Sequence, residues 1–284
     1  MPSGALEIVK RVTRDPFGLL GLVLVIIVLG AAIFADVIAP YDPAKIDIIN
    51  KLQGPSAAHW LGTDQLGRDT LSRIIYGARV AMGIAVFSIG IGAFIGLILG
   101  ILAGYGPRWL DALLIFFFDS LNAIPLILFA LTVIVILGPG TSTLIFVIAV
   151  ISIPVYGRLV RAQTLSLRRS EFILAEQAMG ASLPRIVGIH LLPNVLGPLV
   201  ILVSMDIPSV VALEAALSYL GLGVKPPTPS WGTILNDGYT SLRSNPALVI
   251  AAGIPLVIAT LGFTFLGEAL RDALDPKLKT RRTP

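Results

Sequence analysis

The sequence predicts an all-α integral membrane protein with six transmembrane helices. Hydrophobic residues make up 55% of the chain and charged residues only 13%, where an average soluble domain is about 25% charged. The mean hydropathy is +0.88, and so few charges cannot cover so much apolar surface in water. The apolar residues also gather in six runs, each near the ~20 residues that a helix needs to cross the hydrocarbon core.

In order, the runs are Phe17–Ile38, Val80–Ala103, Ala112–Leu137, Thr143–Val160, Val195–Leu217 and Ala247–Leu266. Lys10, Arg11 and Arg14 precede the first run. Its apolar stretch exceeds the about 7–15 residues of a signal-peptide core, so an uncleaved anchor is expected. Later runs contain Pro125, Pro154, Pro198 with Pro208, and Pro255. Membrane helices tolerate prolines when neighbours satisfy the freed carbonyls, and Pro208 is expected to interrupt the fifth span.

Two connections are long, Pro40–Gly77 and Arg161–Asn194. With the N-terminus inside, inner segments hold 14 Lys and Arg residues and outer segments 7. Basic residues favour the cytoplasmic side, so both termini and Arg161–Asn194 are expected inside and Pro40–Gly77 outside. Basic residues placed between apolar runs also argue against a nucleic-acid partner.

The second run carries Ser88, Gly92, Gly96, Gly100 and Gly104 at every fourth position. Small residues at that spacing let two helix backbones approach closely in lipid. Such a stripe serves as fixed packing or as a sliding surface. Asp119, Asp206 and Glu214 are the clearest acids within the runs. A carboxylate there is costly, so each is a candidate to line a wet translocation path or to pair with a base.

In the Arg161–Asn194 connection, Ser170 suits a helix N-cap and Glu171 the positive helix end. Ala175, Ala178 and Gly180 leave that short helix little bulk, and Gly180 is a natural stop. Ser182 and Pro184 start a second helical segment. A small-faced helix of this kind suits docking in another protein's groove, or an ordinary amphipathic surface.

This loop resembles the Glu-Ala-Ala loop of permeases in binding-protein-dependent ABC importers. Gly180 and Leu192-Pro193 match its pattern, while Leu174-Ala175-Glu176 fill the Glu-Ala-Ala slot and keep only its middle residue. His59-Trp60-Leu61-Gly62-Thr63-Asp64-Gln65-Leu66-Gly67-Arg68-Asp69 resembles the LGTDxxGRD run of the dipeptide, oligopeptide and nickel branch. Leu217–Val224 with Pro226–Gly232, and Leu270–Pro276, resemble further blocks of that branch's C-type permease.

The resemblance implies a type I ABC importer permease (MetI-like) fold. It divides the chain into an N-terminal tail, first helix and outer loop at 1–76, a transmembrane core at 77–270 with the coupling loop 161–194, and a cytoplasmic tail at 271–284. It implies a B-type permease partner, two ATP-binding subunits that hold ATP and magnesium, and a periplasmic or lipid-anchored substrate-binding protein. Glu171, Ala175, Glu176, Ala178, Gly180, Ala181 and Ser182 would then contact the ATPase. Trp60, Asp64, Arg68, Asp69 and Trp231 would form an outer loop or gate, or the scaffold of one. Asp64–Arg68 and Asp69–Arg73 are i,i+4 pairs with the acid first, the better order on a helix. The proline run 226–229 is expected to be extended, with Trp231 an anchor at the membrane interface.

The chain has no Cys and two His, His59 and His190, which excludes thiol chemistry and argues against a metal site. No phosphate loop and no Gly-Lys pair occurs, so energy for uphill transport has to come from another polypeptide. Two other readings are an ion-driven transporter using Asp119 and Asp206, and an intramembrane hydrolase. The first lacks a visible inverted repeat, and the second lacks a Ser/His arrangement.

Overall fold

A computed structural model describes residues 5–274. Its α-helices are α1 (Ala5–Arg14), α2 (Pro16–Ile33), α3 (Ala35–Ile38), α4 (Thr70–Tyr105), α5 (Arg108–Ala123), α6 (Leu126–Leu137), α7 (Thr141–Arg168), α8 (Glu171–Ala178), α9 (Leu183–Arg185), α10 (Leu192–Tyr219), α11 (Trp231–Thr240) and α12 (Ala247–Leu274). Of the predicted tail 271–284 and the block Leu270–Pro276, residues 275–284 lie outside the described residues.

Among the described residues, five helical stretches are long and apolar enough to cross a membrane: α2, α4, α7, the run Leu183–Tyr219, and α12. The expected third span is a bent pair, α5 and α6, meeting at 88°. Six crossings result when the pair counts as one. The bend has a local cause. Pro125 disfavours helical backbone in the residue before it, and Ile124 is extended at φ −86°, ψ 122°. Pro208 does not interrupt the fifth span as expected. α10 runs through it without a break, as do α7 through Pro154 and α12 through Pro255. Several spans also outrun their apolar cores. α4 begins at Thr70 and α7 ends at Arg168, so the two long connections are shorter than the hydropathy suggests.

The chain divides into two contact units. In the first, α2 packs on α12. Asp15 caps α2, its Oδ2 accepting from the Gly18 amide at 2.7 Å, with Pro16 in the first turn. A Cβ on Gly21 would stand 2.6 Å from the Leu266 amide nitrogen, so the two backbones nearly touch there.

The second unit, Phe87–Ile136 with Ile145–Ser204, holds the glycine stripe. Gly92 faces Ala149 and Ser152, Gly96 faces Tyr156 and Gly157, Gly100 faces Gly157 and Val160, and Gly104 faces Thr164. A Cβ at Gly96, Gly100 or Gly104 would come within 2.7 Å of α7 atoms. The stripe is therefore the seam between α4 and α7, where dispersion between close backbones holds helices together in lipid. Gly157 opens α7 on another side to the buried ring of Phe118 from α5.

Gly96→Leu should force α4 off α7 and lower stability by about 1–3 kcal/mol. Gly90→Leu, at a position with nothing within 4 Å, should be neutral. Thermal unfolding of the purified protein in detergent distinguishes the two.

Candidate functional site

The α7–α10 connection is built on the far end of that seam. Ser170 has the backbone of an N-cap, yet its hydroxyl donates to the Leu167 carbonyl at 2.5 Å and makes no cap bond. The expected side-chain cap is thus absent, because the hydroxyl has a closer acceptor in the preceding turn. Glu171 does sit in the first turn of α8, at the positive end.

The stop at Gly180 follows the prediction. Its φ is +82°, a conformation that favours glycine. The Gly180 amide donates to Gln177 O and the Ala181 amide to Glu176 O, each at 3.0 Å. These two bonds form a Schellman motif. Ser182 then precedes α9, with Pro184 in its first turn. The second segment starts where expected, but it is no separate helix. It passes through a π-helical turn, Ile186–Leu191, straight into α10.

α8 is anchored on one side. Ile173, Ile186 and Leu191 are buried together, with Tyr105, Leu167, Ala181 and Val187 packed around them. Gln177 Nε2 donates to the Tyr105 hydroxyl at 2.9 Å, and Glu176 Oε1 lies 3.5 Å from His190 Nε2. The opposite side is open: Phe172, Leu174, Met179 and Leu183 are exposed, Met179 at 75%. Ala175, Ala178, Gly180 and Ser182 are exposed among them. Tyr105 and Gln177 were not singled out in the sequence, and His190 only as one of two histidines too few for a metal site, since no spacing rule ties residues so far apart.

The loop between α3 and α4 holds a buried ionic cluster. Asp64 Oδ2 accepts from Arg68 Nε at 2.7 Å and from Arg73 Nη1. Asp64 Oδ1 takes the amides of Leu66 at 2.8 Å and Arg68 at 3.0 Å. Arg68 and Arg73 both reach Asp237 Oδ2, at 3.5 and 3.4 Å. Burial raises the Asp237 carboxyl above its ordinary range, against the pull of Arg73 and Arg68. Two acids and two guanidiniums leave the cluster formally neutral, which is what buried charge requires. Gln65 ties the same loop to the end of α11, donating to Thr240 Oγ1 at 2.6 Å and Ser241 Oγ at 2.9 Å.

Four expectations here are corrected. Asp64 and Arg68 pair in a turn, not on a helix, because α4 starts only at Thr70. Asp69 does not pair with Arg73. It caps α4, accepting from Ser72 N at 2.8 Å and Ser72 Oγ at 2.7 Å, and meets His59 Nδ1 at 2.9 Å. Trp231 is no interface anchor. It is 1% exposed, donates its indole N–H to Ile74 O at 3.0 Å, and lies against Gly77, where a Cβ would clash. The proline run is likewise a turn, with a cis Pro226–Pro227 bond, and not an extended strut. Trp60 stays exposed at 67%, outside the cluster. Asp237, missed in the sequence, follows Trp231 on the same short helix.

The three candidate path acids differ. Asp119 is exposed, 3.8 Å from Arg158 Nη2. Asp206 is half-buried within α10. Glu214 is fully buried. Its Oε1 accepts from Ser218 Oγ at 2.7 Å, and Ser218 Oγ in turn accepts the Val224 amide at 3.2 Å, which holds the Leu217–Val224 turn closed.

Comparison with known families places this architecture. Residues 96–280 match the family described as binding-protein-dependent transport system inner membrane component. The chain belongs to that family. Residues 6–55 match the N-terminal transmembrane domain of oligopeptide transport permease C. The permease is 39% identical over 274 residues to a dipeptide transport system permease protein of Alkalihalophilus pseudofirmus, covering 96% of this chain and 90% of the relative. It is 38% identical over 275 residues to a glutathione transport system permease protein of Pectobacterium atrosepticum, covering 96% and 91%. Among solved structures, an inward-facing MetNI methionine ABC transporter shares the fold, with a TM-score of 0.59 at 23% identity over 72% of this chain and 96% of that one. The protein is a membrane permease subunit of a binding-protein-dependent importer and not an enzyme.

Asp64→Ala should leave two buried guanidiniums with only the longer contacts to Asp237 and lower stability by roughly 3–5 kcal/mol. Trp60→Ala should have no such effect. Fluorescence-detected size exclusion after a temperature series measures both.

Proposed function

We propose that this permease forms half of a pathway for peptides or peptide-like solutes and receives force at the Gly180 end of α8. The observation that carries this is the two-sided character of α8. One side is fixed to α4, α7 and the base of α10, while the other presents small and apolar side chains on a segment outside the spans. Exposed apolar surface on a non-membrane segment marks a docking site. The similarity to dipeptide and glutathione permeases supports a peptide-like solute.

In this reading the second permease is a homologous B-type chain. Two ATP-binding subunits hold ATP and magnesium and dock on α8, with Glu171, Ala175, Glu176, Ala178, Gly180, Ala181 and Ser182 at the contact. A binding protein delivers solute on the other face, where the Asp64–Arg68–Arg73 cluster, Asp69 and Trp231 shape the loop and Trp60 is free for contact. Both termini lie in the cytoplasm, as the distribution of basic residues indicates. ATP binding closes the ATPases, moves α8 of each permease and opens the pathway outward. Hydrolysis resets it. Asp119 and Asp206 are candidates to line the pathway, and Glu214 to shape its mouth.

Gly180→Trp should leave insertion intact and uncouple the importer: ATP hydrolysis persists while uptake in proteoliposomes falls about tenfold or more, roughly 1.4 kcal/mol of lost coupling. Normal uptake by that variant would remove the coupling role of α8. Asp206→Asn should change the uptake rate with complex assembly unchanged; identical uptake would return Asp206 to a structural role.

A further inference from the structure

An open cavity of about 780 Å³ lies beside α8, lined by Arg108, Asp111, Arg161, Arg168, Arg169 and Leu174 among others. Its size is within the about 300–1,000 Å³ of small-molecule pockets. Of its wall, the coupling reading uses only Leu174, at the edge of the exposed face of α8.

Its charge is unbalanced. Asp111 neutralises Arg161 through a two-pronged pair, with Oδ1 to Nε at 2.5 Å and Oδ2 to Nη2 at 2.7 Å. Among the described residues no carboxylate pairs with Arg108, Arg168 or Arg169. Arg108, Arg168 and Arg169 line one cavity, and like charges gathered there repel unless an anion joins them. Arg168 is also held in place. Its Nη1 donates to Tyr105 O at 3.2 Å, and its Cζ sits 5.1 Å from the Tyr105 ring centre. Gln177 fixes that tyrosine from α8. Planar guanidiniums placed in advance match the oxygens of a phosphate group. The first turn of α5 opens on the same cavity, and Pro107 before it makes no side-chain cap bond, so the positive end of α5 adds to the site.

The surroundings indicate where the phosphate comes from. Next to Arg108, Trp109 is 68% exposed, and Leu113 and Phe116 continue the same exposed face of α5. An exposed tryptophan at the polar end of an apolar helix face marks the headgroup level of a bilayer. Leu165, Leu174 and Ala103 give the cavity apolar wall as well.

We propose that this cavity is a phosphate-group site filled by the headgroup of an anionic phospholipid. It rests on the cytoplasmic placement of α8 proposed above, since anionic lipid of the inner leaflet is what basic pockets on that side attract. The bound lipid would brace α4, α5, α7 and α8 where the latter meets its partner.

The test uses the transporter purified with its accompanying subunits in nanodiscs of phosphatidylcholine doped with phosphatidylglycerol. Native mass spectrometry counts the phosphatidylglycerol retained. Wild type should retain it in preference to phosphatidylcholine. R108Q/R169Q should retain about tenfold less, while R243Q, an exposed arginine elsewhere, stays near wild type. Equal retention by R108Q/R169Q, or equal loss in R243Q, overturns the proposal. Inorganic phosphate is the second arm. Displacement of the lipid by millimolar phosphate assigns the site to the free ion and overturns the lipid source; no displacement supports it. Because the chain has no cysteine, R169C reports its side of the membrane to an impermeant maleimide. Labelling from outside overturns the orientation itself, whereas inside labelling with undiminished lipid retention by R108Q/R169Q removes only this inference.

Discussion

The close contact of α4 with α7 is the interaction on which the second unit depends. Lipid gives no hydrophobic drive for helices to associate, so van der Waals contact between backbones has to supply it. Four glycines in register allow that contact over three helical turns. The seam fixes more than a distance. By setting α7 against α4 it brings Arg161 to Asp111, Arg168 to Tyr105 and Leu167 to Ile173. The mounting of α8 is thus a consequence of glycines that begin far along the helix.

The two polar regions solve one problem in different ways. Around Asp64, charges are buried and must cancel, and two acids and two guanidiniums do so with Asp237 supplied from a short helix distant in sequence. Beside α8 the arginines are mostly exposed, and cancellation is left incomplete. The first arrangement fixes a loop. The second leaves a positive field at the base of the helix proposed to dock the ATPase.

Much of this was legible in the sequence because it depends on local periodicity. The five uninterrupted spans follow from apolar runs, the α4 seam from glycine spacing, and the Gly180 stop from the conformational freedom of glycine. What was not legible depends on neighbours. Pro125 and Pro208 look alike in the chain, yet one breaks a helix at 88° and the other lies inside one. Asp69 and Arg73 have the spacing of a helical pair, but the helix begins between them, and Asp69 Oδ2 caps the helix start while Oδ1 meets His59. Trp231 has the composition of an interface anchor and instead fills the space above Gly77. Asp237 carries no motif at all and is recognised only by its proximity to Arg68 and Arg73.

α8 is the proposed place where the permease meets its motor. A photoreactive amino acid at position 179, where the native methionine is 75% exposed, tests this directly in native membranes. Irradiation should give an adduct between this chain and a nucleotide-hydrolysing subunit, and none with the solute-binding protein. An adduct with the binding protein, or no protein adduct in an actively transporting membrane, would contradict it.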